Sequence, residues 1–265
     1  MASASGIISS ESIAQRFAAL RAESRRALVC YVTAGHPSPS ATIELLEGLE
    51  EAGADVIELG VPFSDPVADG PVIQESSAAA LANGVTLDSS LGLLGEARVS
   101  VPVVLFTYLN PLLAAGPDVL NRASEAGVAG ILVTDLPLGA DPQREAWLAA
   151  SDLDFIRLVA PTTPEERLAG ICEHGSGFVY LISRMGVTGT REDAPADVSP
   201  MVTRLRTVTD LPVCVGFGIS TPAQARTVAR MADGVVVGSA IVKAAGQSTE
   251  AAVNLVRSMR EAMDG

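Results

Sequence analysis

The stretch ADVIELGVPFSDPVADGP, from Ala54 to Pro71, begins as an apolar strand and ends as a loop rich in proline and aspartate. Its strand half, DVIELG (55–60), does not alternate strictly between apolar and polar residues. That pattern belongs to a parallel strand covered on both faces. A carboxylate, Glu58, nevertheless stands between Ile57 and Leu59, and two more, Asp65 and Asp69, follow in the loop.

Seven further runs share this character: ALVCYVT (27–33), PVVLFTY (102–108), GILVTDL (130–136), DFIRLVA (154–160), GFVYLIS (177–183), LPVCVGF (211–217) and DGVVVGS (233–239). The segments between them read as helices. ATIELLEGLEEAG (41–53) lines Ile43, Leu46, Leu49 and Gly53 along one side, and STPAQARTVARM offers Ser220 or Thr221 as a cap with Pro222 in the first turn. Eight buried strands alternating with helices, without a compositional break, predict an α/β protein of the (β/α)8 TIM-barrel class, one domain over 1–265. SSESIAQRFAALRAESRR (9–26) adds a helix before the first strand.

The chain has 265 residues, 48% of them hydrophobic, enough for one large core. Its net charge of −13 argues against nucleic-acid and anionic-membrane partners, which require basic patches. Cys30, Cys172 and Cys214 show no C-x-x-C spacing and read as buried, reduced thiols. His36 and His174 lack neighbours at zinc-ligand spacing, so no metal site is expected. With no secretory pattern and no apolar run of spanning length, a soluble, cytoplasmic protein is expected.

Barrels of this class place their active sites at the C-terminal ends of the strands. Glu58, Tyr108, Asp135, Tyr180 and Phe217 fall there. Period-two alternation puts Val56, Glu58 and Gly60 on one face. If that face lines the barrel mouth, desolvation raises the Glu58 pKa toward neutrality and equips it for proton transfer; otherwise it is a salt-bridged structural acid. Asp69, in VADGP, either serves the chemistry or caps local backbone, and Asp135 either meets substrate or anchors a loop. Phe63 and Phe217 line a pocket or belong to the core. Glycine-rich turns follow the last three strands: MGVTGT (185–190), GFGIS (216–220) and VGSAIV (237–242). They make tight turns, or together present backbone N–H groups to a phosphate, with Gly238 and Ser239 opening a short helix. Neutral N–H dipoles would reconcile an anionic substrate with an acidic protein.

These motifs, in order YVTAGHP, ADVIELGVPFSDPVADGPVIQ, TYLNPL, GILVTDLP, YLISRMGVTGT, VGFGIS and VGSAIVK, resemble the tryptophan synthase α-subunit family from about Val29 to Lys243. The resemblance implies a phosphate-binding barrel that cleaves indole-3-glycerol phosphate to indole and glyceraldehyde 3-phosphate. It implies no cofactor of the chain's own, pyridoxal phosphate being carried by a partner β subunit in an α2β2 complex. Carried over by motif, Glu58 is the general acid/base, Asp69 holds the indole N–H, and Tyr180 lies near both glutamate and substrate. Phe217 falls on the indole pocket, Tyr108 on an aromatic position near the site, and Gly189, Gly218, Gly238 and Ser239 on phosphate-binding positions. Arg184 and Thr188 lie in the loop after the sixth strand, where the matching threonine contacts the aspartate. Asp65 lies in a loop facing the β subunit.

Two residues depart from the pattern. His36 stands where many relatives carry aspartate or tyrosine and reads as an exposed loop variant without a role; Met185 occupies a variable position. Two other functions compete: a stand-alone lyase releasing free indole, and a silent barrel acting only as a binding subunit. The second is disfavoured by the presence of both Glu58 and Asp69. A Schiff-base aldolase lacks its nucleophile, since the single lysine, Lys243, lies beyond the eighth strand.

Overall fold

The structure, a computed structural model, describes residues 11–182, 198–216 and 218–265. In chain order the elements are α1 (Ile13–Ala22), β1 (Ala27–Thr33), α2 (Pro39–Glu51), β2 (Val56–Gly60), α3 (Pro71–Ala82), α4 (Leu87–Glu96) and β3 (Val103–Thr107). Next come α5 (Leu109–Ala115), α6 (Val119–Glu125), β4 (Val128–Val133), α7 (Pro142–Ala149), β5 (Asp154–Phe155), β6 (Arg157–Val159), α8 (Glu165–Glu173) and β7 (Val179–Ile182). The chain ends with α9 (Ser199–Arg206), β8 (Val213–Gly216), α10 (Pro222–Ala229), β9 (Gly234–Val237), α11 (Ser239–Ala245) and α12 (Thr249–Asp264).

Among the described residues all strand pairs are parallel, in the order β5-β4-β3-β2-β1-β9-β8-β7-β6. The two ends of that order, β5 and β6, belong to one chain segment, so the sheet returns on itself as the expected (β/α)8 barrel. The fifth run, expected as a single strand over 154–160, is divided at Ile156. Ser176 is the reason: its Oγ accepts the Phe155 N–H at 2.8 Å, and its own N–H donates to the Phe155 carbonyl at 3.0 Å. Those bonds take the place of a ladder, and pairing with β7 starts only at Arg157.

Parity along each strand divides the core. Outward residues such as Leu28, Cys30, Ile57, Leu59, Leu105 and Ile131 are buried under the helices. Inward residues Ala27, Val29, Val56, Val104, Leu132, Ile156, Phe178, Cys214 and Val236 fill the barrel. The added helix is shorter than 9–26; Ser12 caps it in a capping box with Gln15, and Ser24 turns the chain after it with φ +58°. Its apolar face, Ile13, Phe17 and Leu20, joins the inner cluster, with the Phe17 ring 5.9 Å from Phe178. The helix therefore closes the N-terminal end of the barrel and leaves the opposite end for chemistry.

Helix starts follow local rules. Thr221 caps α10 in a capping box with Gln224 and Pro222 behind it, while Ser38 caps α2 ahead of Pro39. The three cysteines are free and buried. Among the described residues no helix is long and apolar enough to cross a membrane.

Candidate active site

At the C-terminal end of the barrel Glu58 lies on β2, in register with Tyr31 of β1 and Val104 of β3. It is 1% exposed, and its Oε1 has no hydrogen-bond partner among the described residues. Burial pushes its carboxyl up from 4.5 to about 8. The alternative of a salt-bridged acid does not hold among the described residues, where burial alone accounts for the shift.

Two tyrosines press toward this acid. At Gly60, the next inward position of β2, an added Cβ would run into the hydroxyl end of Tyr31. At Gly216 on β8 a Cβ would meet the hydroxyl end of Tyr180, which stands on β7. Each glycine makes room for a ring from the adjacent strand. Burial lifts both phenols above their usual range, and the charges of Glu58 and Asp69 add to it in each case. Gly60→Ala is therefore expected to displace Tyr31 and reduce turnover, with an overpacking cost of about 1–3 kcal/mol. A urea-unfolding midpoint equal to that of the unchanged protein, together with full activity, would contradict this placement.

Asp69 sits half-buried in the loop after β2, and burial raises its carboxyl from 3.8 to about 6. Its Oδ2 accepts the Tyr108 hydroxyl at 2.9 Å, a bond that favours the ionised form and opposes that rise. Tyr108 is 2% exposed, stands directly before α5, and packs its ring on Phe63 with centroids 5.0 Å apart. Asp135 proves to be an anchor, its Oδ1 accepting the Leu109 N–H at 2.8 Å. Asp65 is exposed in the same loop as Asp69, near Val67 at 81% exposure; its Oδ2 accepts the Ser64 hydroxyl at 2.6 Å and its carbonyl accepts the Val67 N–H at 2.8 Å.

Gly218 adopts φ +82°, open to glycine and costly to other residues, and Gly238 is the N-cap of α11 with Ser239 its first residue. The first N–H groups of a helix have no intrahelical acceptor, so this short helix presents donors at the strand ends. Thr188, Gly189 and Phe217, with Arg184 and Met185, lie outside the described residues.

Sequence reasoning overlooked Tyr31. Its parity with Val29 in ALVCYVT carried the signal, because it faces the same interior as Glu58. Thr33 lies one inward position further, 2.7 Å from the Ser76 hydroxyl, and Phe106 meets the Tyr31 ring edge-on at 5.1 Å. His36 is also corrected. It is half-buried, not exposed, with its ring against the Val242 backbone of α11, which lies beside the loop after β1. No parity or period in the sequence places those two segments together.

The site can be compared with known proteins. The family model described as "Tryptophan synthase alpha chain" matches residues 17–264. A tryptophan synthase alpha chain of Caulobacter sp. (strain K31) is 48% identical over 246 residues, covering 90% of this chain and 89% of its own. One from Citrifermentans bemidjiense is 49% identical over 234 residues, covering 87% and 88%. A chain in a structure of Mycobacterium tuberculosis tryptophan synthase superposes with a TM-score of 0.88 at 37% identity, covering 96% of this chain and 98% of that one.

Proposed function

On the premise that this chain belongs to the tryptophan synthase alpha chain family, we propose roles for its individual residues in the family's reaction. That reaction is the retro-aldol cleavage of indole-3-glycerol phosphate to indole and glyceraldehyde 3-phosphate, which makes the protein a carbon–carbon lyase of tryptophan biosynthesis.

Glu58 is the general acid. Indole is a poor carbon leaving group until C3 is protonated, and a buried carboxyl with a pKa of about 8 carries its proton at neutral pH. Protonation at C3 places positive charge on the indole nitrogen, where ionised Asp69 accepts the N–H and stabilises the charge. The carboxylate that Glu58 becomes then takes the proton of the glycerol hydroxyl beside the scissile bond. As the C–C bond breaks, its electron pair returns to the ring, neutralises the nitrogen and leaves an aldehyde. Tyr180, Tyr108, Phe217 and Thr188 line the substrate, while Gly189, Gly218, Gly238 and Ser239 hold its phosphate through backbone N–H groups. The observation that carries this reading is the pair of environments: an acid kept protonated by burial, and a second kept closer to ionisation by a phenol donor.

The whole chain acts as one domain in the cytoplasm, without a cofactor of its own. It works beside a tryptophan synthase β subunit in an α2β2 assembly, the β subunit carrying pyridoxal phosphate. The exposed loop bearing Asp65 and Val67 supports a partner face at this end.

The roles have a pH signature. Activity requires Glu58 protonated, a state lost as pH rises through about 8, and Asp69 ionised, a state lost as pH falls through about 6. kcat/KM for indole release should therefore be bell-shaped between those limits. The assay is run with and without β subunit. A rate still rising well above the upper limit would exclude Glu58 as the acid.

A further inference from the structure

The loop carrying Asp69 depends on its neighbours for position. Within the loop, Asp69 N–H donates to the Pro66 carbonyl at 3.1 Å, and the Gln74 side chain donates to the Asp69 carbonyl at 2.9 Å. Neither bond fixes the carboxylate. Two ties to the end of β3 do, and both pass through one oxygen. The Tyr108 hydroxyl accepts the Ala68 N–H at 3.0 Å and donates to Asp69 Oδ2 at 2.9 Å.

We propose that Tyr108 is a positioning residue that acts through Asp69, and that Asp135 holds Tyr108 in place for it. This rests on the reading of Asp69 as the indole N–H acceptor. A phenol has a single proton to donate. With that proton on Asp69, the hydroxyl has none left for substrate, and the acceptor Oδ2 is already engaged. Oδ1, which accepts no hydrogen bond among the described residues, is the oxygen assigned to the indole N–H, so the carboxylate offers its charge from one direction. Tyr108 is fixed from both sides. Its ring packs against Phe63, and the next peptide is held where Asp135 Oδ1 accepts the Leu109 N–H at 2.8 Å. Three strand ends thus act in series: Asp135 after β4, Tyr108 after β3, and Asp69 after β2.

The same bond adjusts charge. Burial alone lifts the Asp69 carboxyl, and the Tyr108 donor brings it part of the way back, to about 6. Among the described residues Tyr31 on β1 and Tyr180 on β7 also feel the Asp69 charge, as they do that of Glu58 on β2, and the two phenols hold their protons at neutral pH. Without the Tyr108 hydroxyl, Asp69 would hold its proton into the neutral range.

Tyr108→Phe keeps the ring on Phe63 and removes the hydroxyl, and with it both the donation to Asp69 and the acceptor of the Ala68 N–H. Its kcat/KM for indole-3-glycerol phosphate cleavage should fall about tenfold or more near neutrality, as for loss of a hydrogen bond to a charged group. The loss should fall mainly on kcat, shrink as pH rises, and bring an upward shift of the acid limb. Asp135→Ala should show the same upward shift, smaller. The deciding comparison repeats Tyr108→Phe in an Asp69→Asn background, where the acid limb is gone and the substitution should cost little more. Equal losses in both backgrounds, or an unmoved acid limb, would overturn the proposal and mean that the Tyr108 hydroxyl acts independently of Asp69. If Asp69→Asn alone cost nothing, the reading of Asp69 would fall instead, and Tyr108 could not act through it.

Discussion

Glu58→Gln is expected to reduce indole-3-glycerol phosphate cleavage by at least the ~10²–10⁴-fold typical of general acid–base catalysis, while making the protein harder to unfold. The loss of rate follows because an amide holds the shape of the carboxylic acid but has no proton to give to C3. The gain in stability follows from burial. The folded protein holds Glu58 at 1% exposure, with Oε1 unpartnered among the described residues, and its pKa rises from 4.5 to about 8. Below about 4.5 the acid is protonated in folded and unfolded chains alike, and folding carries no penalty from it. As pH rises from there, the unfolded chain releases the proton and the folded chain keeps it, so stability is lost steadily until the folded pKa is passed. At pH 7 the difference amounts to roughly 3 kcal/mol, taking 1.36 kcal/mol per pH unit. Glutamine titrates in neither state. Urea-unfolding midpoints of the two proteins should thus lie close together in mild acid and separate in favour of Glu58→Gln toward pH 8. Parallel pH dependences would show that Glu58 is not held as a buried, destabilised acid.

The barrel was legible because its information is local. Each parallel strand covered on both faces must be apolar throughout, and each helix ending in glycine before a strand announces the next repeat. Glu58 was legible for the same reason, as a carboxylate that breaks an apolar run at a strand end. Features that depend on registration between segments were not legible. Tyr31 reads as one more strand residue until β1 is set beside β2, which brings it opposite Glu58 and over Gly60. The division of the fifth run comes from Ser176, 20 residues beyond Ile156, because closing the barrel puts that side chain against Phe155. Asp135 could not be sorted from the substrate-facing acids in GILVTDLP, since its partner is a backbone N–H on a different βα unit. His36 reads as solvent-facing because the helix that covers it comes some two hundred residues later.

Asp55 provides the opposite case within the same strand segment. It lies three residues before Glu58 and is fully buried, at 0% exposure. Its carboxylate is surrounded: Arg16 Nη2 at 2.7 Å on Oδ1, Arg260 Nη1 at 3.0 Å and the Leu28 N–H at 2.8 Å on Oδ2. These donors bring α1, α12 and β1 together on one residue at the N-terminal end of the barrel. Asp55→Ala would leave the nearly buried Arg260 without its innermost acceptor and the Leu28 N–H without its side-chain partner. Breaking a buried pair by removing one member costs about 3–5 kcal/mol, because the remaining charge stays desolvated. Urea unfolding should show a loss of that order, with Asp55→Asn intermediate because an amide oxygen still accepts the Leu28 N–H. The folded fraction should keep its cleavage rate, since the substitution lies at the end of the barrel away from Glu58. An unchanged midpoint would mean that the two guanidinium groups find water or other acceptors at no cost. Two acids in the sequence DVIE, equally buried, are thus predicted to respond to removal with opposite signs. Asp55 is supplied with charged donors and holds the fold together, whereas Glu58 is denied them and keeps the proton that the reaction uses.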